Sequence, residues 1–144
     1  ATIAQVTALA VLLPVVAGQS GNAGAQALAV TMRGLALREI TVRQWFRVMR
    51  KEVMAGLLNG VAVALTCGLG VYLWSGSLPL VGVIAASMVL AMVAAGFAGA
   101  VIPVLLTRAG QDPATSSSIV LTTVTDVAGF FSFLGIATVF MQFL

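Results

Sequence analysis

From Ala1 to Met32 the chain carries no charged side chain, an uninterrupted run of 32 residues. About 20 apolar residues suffice to cross the hydrocarbon core of a bilayer, so this run is long enough to span one. Its centre nevertheless reads QSGNAGAQ, Gln19 to Gln26, with two glutamines, an asparagine, a serine and two glycines. A helix surrounded by lipid gains nothing from polar groups at that depth. The stretch is therefore expected to face protein or a water-filled path.

The rest of the chain supports a membrane setting. Only 8% of its residues are charged and its mean hydropathy is +1.12. Soluble domains carry about 25% charged residues. So few charges cannot cover a globular surface, and the fold class expected is an all-α, polytopic helical bundle. The sequence begins inside an apolar run, without a methionine and without the pattern of a signal peptide. It reads as a piece of a longer protein, with helices or soluble domains expected upstream.

Four spans are expected, at about 3–37, 53–74, 80–106 and 114–143. Pro14 and the glycines are expected to interrupt the first, and Pro103 to kink the third. Six of the seven basic residues lie between Arg33 and Lys51. Such clustering beside a span is a topology signal and not a nucleic-acid footprint, and it places this segment in the cytoplasm. Residues 39–51 alternate apolar and basic side chains. They fit a helix lying flat at the membrane surface, or simply the start of the second span. Glu39 and Glu52 border this segment and are expected to pair with its arginines. Tyr72 and Trp74 then sit at the outer headgroup level, and both ends of the chain face outside. A protein that starts in the cytoplasm needs an odd number of further spans before Ala1, most simply one.

The chain has no histidine, and its single cysteine, Cys67, lies in an apolar run that suggests packing. Thiol or imidazole metal sites, Cys/His nucleophiles and internal disulfides are excluded. With no nucleophile–base pair or metal-ligand cluster evident, an enzyme is not expected.

Asp126 carries the strongest chemical signal. It stands 13 residues beyond Pro113. At about 1.5 Å rise per residue this places it roughly 20 Å into a core about 30 Å thick. A lone aspartate there costs about 2.5–3.5 kcal/mol on insertion scales. No basic residue of the chain lies at that depth, so water, a proton or a cation must meet its charge. A protonated side chain bonded to a neighbouring helix is the plain structural alternative. Thr115, Ser118, Thr122, Asp126 and Gly129 recur at spacings of three and four, one stripe of a helix, with Thr125 beside it. Such hydroxyls can instead bond back to their own helix. Donors restricted to oxygen favour a hard cation such as Mg²⁺ or Ca²⁺. One carboxylate per chain is sparse for a divalent ion, and a homodimer would bring two together at a pore on its twofold axis. Asp112, just before Pro113, has the position of an N-cap, and at a pore mouth the same carboxylate would attract cations.

Two segments carry a family resemblance. LPVVAGQSGNAGAQALAVTMRGLALREI, Leu13 to Ile40, resembles the second transmembrane helix of MgtE-type magnesium transporters, and DPATSSSIVLTTVTDVAGF, Asp112 to Phe130, resembles their fifth. The order and spacing of the four spans fit helices two to five. The resemblance implies a homodimer with five membrane helices per subunit and a pore lined by helices two and five. A largely hydrated Mg²⁺ would sit between paired Asp126 carboxylates, with Asn22 and Asp112 matching further family positions. The first helix and a cytoplasmic regulatory region would lie outside this chain, and the setting would be a bacterial inner membrane. The family's polar residues are replaced at Ala25, Ala29 and Ser118, and its proline at Ile119; Ser118 and Thr122 still supply hydroxyl oxygens.

The expected ion ligands are thus Asp126, Asn22, Thr122, Ser118 and Asp112. The expected pore wall is Gly18, Gly21, Ala25, Ala29, Thr125 and Gly129. The expected function is channel-like transport of Mg²⁺ or a related divalent cation. Coupled exchange with protons or Na⁺ is the alternative, and its sequence support is the expected break in the first span. A non-transporting membrane anchor would account for the small residues but not for Asp126.

Overall fold

A computed structural model gives the fold and describes residues 2–143, with side chains described from Thr7 onward except that of Ser116. The ends of the expected domain, Ala1 and Leu144, lie outside the described residues. Four long helices account for almost all of it: α1, Thr2–Ala36; α2, Trp45–Ser75; α3, Leu78–Arg108; and α4, Pro113–Val139. Short 3₁₀ turns occupy Val42–Gln44 and Met141–Phe143. All four helices are long and apolar enough to cross a membrane.

The helix ends follow local chemistry. Gly76 closes α2 in the left-handed conformation, φ 65°, with its N–H donating to the Tyr72 carbonyl at 2.8 Å. Ser77 then caps α3, its hydroxyl accepting from the Leu80 N–H at 3.3 Å. Asp112 caps α4 in the same way, accepting from the Ala114 N–H at 3.0 Å with Pro113 in the first turn.

One expectation is corrected here. α1 is not interrupted: it runs as one helix of 35 residues through Pro14 and the glycine-rich stretch. Proline removes one backbone donor, whereas breaking the helix in lipid would strand many groups without water. Of the two readings of 39–51, the structure gives the start of the second span. The 3₁₀ turn leads straight into α2 at Trp45, so Arg47, Arg50 and Lys51 belong to the first two turns of a spanning helix. α3 likewise continues through Pro103.

α3 is the centre of the bundle. Over half of its apolar span is buried, 56% against 22–28% for the other three. It packs along α1, α2 and α4, while α1 and α2, neighbours in sequence, barely touch. The core gathers Val16 of α1, Val83, Ile84 and Met88 of α3 and Phe133 of α4, with half-buried Cys67 against it. Leucines on the outer face of α2 (Leu58, Leu65, Leu69 and Leu73) remain exposed, as lipid contact requires.

The α2–α3 approach is close enough to exclude side chains. A Cβ on Gly56 would stand 2.5 Å from the Met92 carbonyl oxygen, and one on Gly96 would strike the Glu52 carbonyl oxygen. Such contact between backbones is the packing that small residues allow in membrane helices.

Candidate functional site

α1 and α4 meet along a seam of small and hydroxyl residues. Ala17, Ser20 and Gly24 of α1 face Leu121, Thr125 and Gly129 of α4. A Cβ on Gly129 would lie 3.3 Å from Ala17 Cα, and one on Gly24 would lie 3.0 Å from Thr125 Cγ2. The buried Ser20 hydroxyl sits 3.0 Å from the Ala17 carbonyl and 3.5 Å from that of Thr125, bridging the seam. These pairings bring Asn22 and Asp126 to the same level of the bundle.

The expected pore residues divide at this seam. Gly18, Asn22, Ala25 and Ala29 are exposed along one flank of α1, and Gly21 is half-exposed. Thr115, Ser118 and Thr122 are exposed on α4, with Asp126 half-buried beside them. Thr125 and Gly129 go the other way. Both are buried against α1, so in this fold they build the seam and not an open wall. Their place follows from the helix period. Four residues from Leu121 to Thr125 and four more to Gly129 stay on one face, and that face belongs to α1.

The open flank of α4 holds a shallow groove of about 300 Å³ lined by Ser118, Ile119, Thr122, Thr123 and Asp126. The Asp126 carboxylate has no hydrogen bond or ion pair with any described residue. The hydroxyls around it are committed in one direction. Thr122 donates to the Ser118 carbonyl at 2.8 Å, and Thr123 donates to that of Ile119 at 3.0 Å. A hydroxyl has one proton and two lone pairs. With the proton spent on the helix, each threonine turns only acceptor capacity outward. Acceptors beside an unpaired carboxylate suit a cation or the hydrogens of its water shell. Back-bonding alone is not the signal, since Thr66 and Thr138 do the same elsewhere without an acid nearby.

The other charges are arranged differently from expectation. Arg108 donates to the Val42 carbonyl at 3.3 Å and lies over the Trp45 ring at 5.8 Å, tying the end of α3 to the start of α2. Among the described residues Glu52 pairs with no arginine; its ion pair is with the adjacent Lys51 at 4.0 Å. Asp112 is spent on capping at the start of α4, 14 residues before Asp126.

Ser20 was not among the expected site residues. Its signal was in the sequence: Ala17, Ser20, Gly24, Ala27 and Thr31 recur at three and four, and all five are buried on α1. Gln26, at the end of the polar stretch of α1, and Asn59, alone among apolar residues of α2, were not among the expected site residues either.

Residues 13–136 match the MgtE family, described as divalent cation transporters. Three relatives, each named magnesium transporter MgtE, align along nearly the whole chain. That of Thermus thermophilus is 39% identical over 137 residues, covering 95% of this chain and 30% of the relative. That of Enterococcus faecalis is 36% identical over 141 residues, with 98% and 31% covered. That of Bacillus subtilis is 35% identical over 142 residues, with 96% and 31% covered. The chain thus spans about a third of the length of these relatives.

Proposed function

This chain belongs to the MgtE family of divalent cation transporters, a family of transporters and not of enzymes, and from that premise we propose that it carries Mg²⁺ across a membrane. One observation carries the reading within this fold. The Asp126 carboxylate has no partner among the described residues, lies beside outward hydroxyl acceptors, and stands level with Asn22 on the adjoining α1.

The path we infer lies between two copies of this bundle. The open flanks of α1 and α4 are polar and border one seam. Joining two such flanks about a twofold axis brings two Asp126 carboxylates toward one ion, a total charge that matches a divalent cation. Mg²⁺ dehydrates reluctantly and is held with waters in place. The small side chains at Gly18, Ala25 and Ala29 leave room for that water. Asn22, Ser118 and Thr122 accept hydrogens from the shell, and Asp112 lies nearer the cytoplasmic mouth. The basic residues between Arg33 and Lys51 orient the α1–α2 connection toward the cytoplasm of a bacterial inner membrane. A potential negative inside favours entry by about 2.3 kcal/mol per charge per 100 mV, hence about 4.6 kcal/mol for Mg²⁺. No coupling ion is then needed. The discontinuous first span that would have favoured proton or Na⁺ coupling is a continuous helix.

The test is Mg²⁺ flux into proteoliposomes holding the full-length protein. Asp126→Ala is expected to reduce flux at least ~10-fold, the equivalent of losing about 1.4 kcal/mol of ion stabilisation. Equal flux in variant and wild type would remove Asp126 from the mechanism. Flux that follows an imposed proton or Na⁺ gradient at fixed voltage would replace the passive path with a coupled one.

A further inference from the structure

A second acid is buried on the other side of α1. Glu52 is only 7% exposed. It lines a crevice of about 160 Å³ between α1 and α2, floored by α3, and shares it with Gln26 of α1 and Asn59 of α2. Small residues, Ala27, Gly56 and Gly96, make up much of the remaining wall. Glu52, Gly56 and Asn59 recur at four and three, so they present one face of α2 to this space.

The Glu52 carboxylate accepts no hydrogen bond among the described residues. Its one ion-pair partner among the described residues, Lys51, is adjacent in sequence, 4.0 Å away, and has a side chain 74% exposed. Side chains one residue apart on a helix point away from each other. Lys51 therefore meets the carboxylate from the exposed side and leaves its crevice side open. Gly96 presses against the Glu52 carbonyl oxygen, fixing the backbone of α2 on α3 at this residue. Burial strips water from this carboxylate, and an ionised carboxylate without water needs a counter-charge.

We propose that this crevice binds a divalent cation of the Mg²⁺ class, held by the Glu52 carboxylate and the side-chain oxygens of Gln26 and Asn59. The donor set is oxygen alone, which selects hard cations. At about 30 Å³ per water, the crevice holds a volume of about five waters, enough for an ion that keeps part of its shell. The site is separate from Asp126. It lies on the side of α1 that faces α2, whereas Asp126 stands beside the seam with α4. A cation here joins two helices that otherwise barely touch. One of them carries Asn22, a single turn from Gln26, so occupancy of the crevice steadies the wall of the proposed path.

Anomalous diffraction from Mn²⁺, an X-ray-visible substitute for Mg²⁺, tests this in crystals of the full-length protein grown from lipid. The expected result is a peak among Gln26, Glu52 and Asn59 in the wild type and in Asp126→Asn. That peak is lost in Glu52→Gln, which keeps the side-chain shape, and in Gln26→Leu, which alters a different and exposed position. Thermal unfolding confirms that each variant is folded, and Gln26→Leu carries the test if Glu52→Gln is not. A crevice peak persisting in folded Glu52→Gln overturns the proposal. So does an empty crevice in which Glu52 bonds to the two amides as a neutral acid, or a peak seen with Rb⁺ but not with Mn²⁺. A peak in the crevice with none at Asp126 supports this site while sinking the pore reading, so the two fail separately.

Discussion

Gly56, Gly60 and Gly68 of α2 do the opposite of Gly18 and Gly21 at the centre of α1. In α2, Gly56, Gly60 and Gly68 are buried against α3, and an added Cβ on any of them meets Met92, Val89 or Val81. In α1, a Cβ on Gly18 or Gly21 meets nothing within 4 Å, while one on Gly24 meets Thr125 and Leu121. Spacing explains the difference. A step of four residues turns only about 40° around a helix of 3.6 residues per turn, so the α2 glycines keep to one face. A step of three turns about 60° the other way, so Gly18, Gly21 and Gly24 swing from the open flank into the seam. The same residue type thus serves contact between backbones in one place and open room in the other.

The sharpest way to break this comparison is to add one methyl group on each side of it. Gly56→Ala, Gly96→Ala and Gly99→Ala are each expected to destabilise the bundle by about 1–3 kcal/mol, the usual cost of overpacking. A Cβ on Gly99 would lie 2.6 Å from that of Ala27 and 2.7 Å from the Gly24 carbonyl oxygen, so α1 itself would have to move. Unfolding in denaturant, followed in lipid nanodiscs, reads this directly. Unchanged midpoints would mean that the helices do not touch through their backbones.

A smaller effect, on transport and not on stability, is expected on the open flank. Asn22→Leu should lower Mg²⁺ flux about 10-fold, or about 1.4 kcal/mol, with the unfolding midpoint nearly unchanged. If flux held and stability fell, Asn22 would be a packing residue and the flank would be a contact surface. The smallest effect is at Gly18. Gly18→Ala should change stability by no more than about 0.5–1 kcal/mol, and in the stabilising direction, because alanine is the better helix former. A loss as large as that at Gly56 would erase the distinction between the two regions.

Much of this was legible along the chain. The uncharged runs fix four crossings, because the transfer of apolar side chains into lipid sums residue by residue whatever the neighbours. The depth of Asp126 follows from counting, and Asp112 before Pro113 announces a helix cap by local geometry alone. Pro14 misled, because the cost of a proline is judged by its own hydrogen bond. The helix is kept by all the others that lipid would leave unpaired. Thr125 and Gly129 misled for a different reason. Gly129 falls in the same periodic stripe as Asp126 and Thr125 stands beside it, and periodicity shows which residues share a face without showing what that face meets.

Composition and order therefore determined the solvent of this protein, the number of its helices and the presence of a costly acid in the last of them. Only the tertiary structure decided that α3 is central, that Thr125 and Gly129 turn onto α1, and that Glu52, Gln26 and Asn59 share one crevice. Hydropathy is a property of each residue and adds along the chain. The rotation of each helix about its axis is set jointly by all of its partners, and no segment carries that information alone.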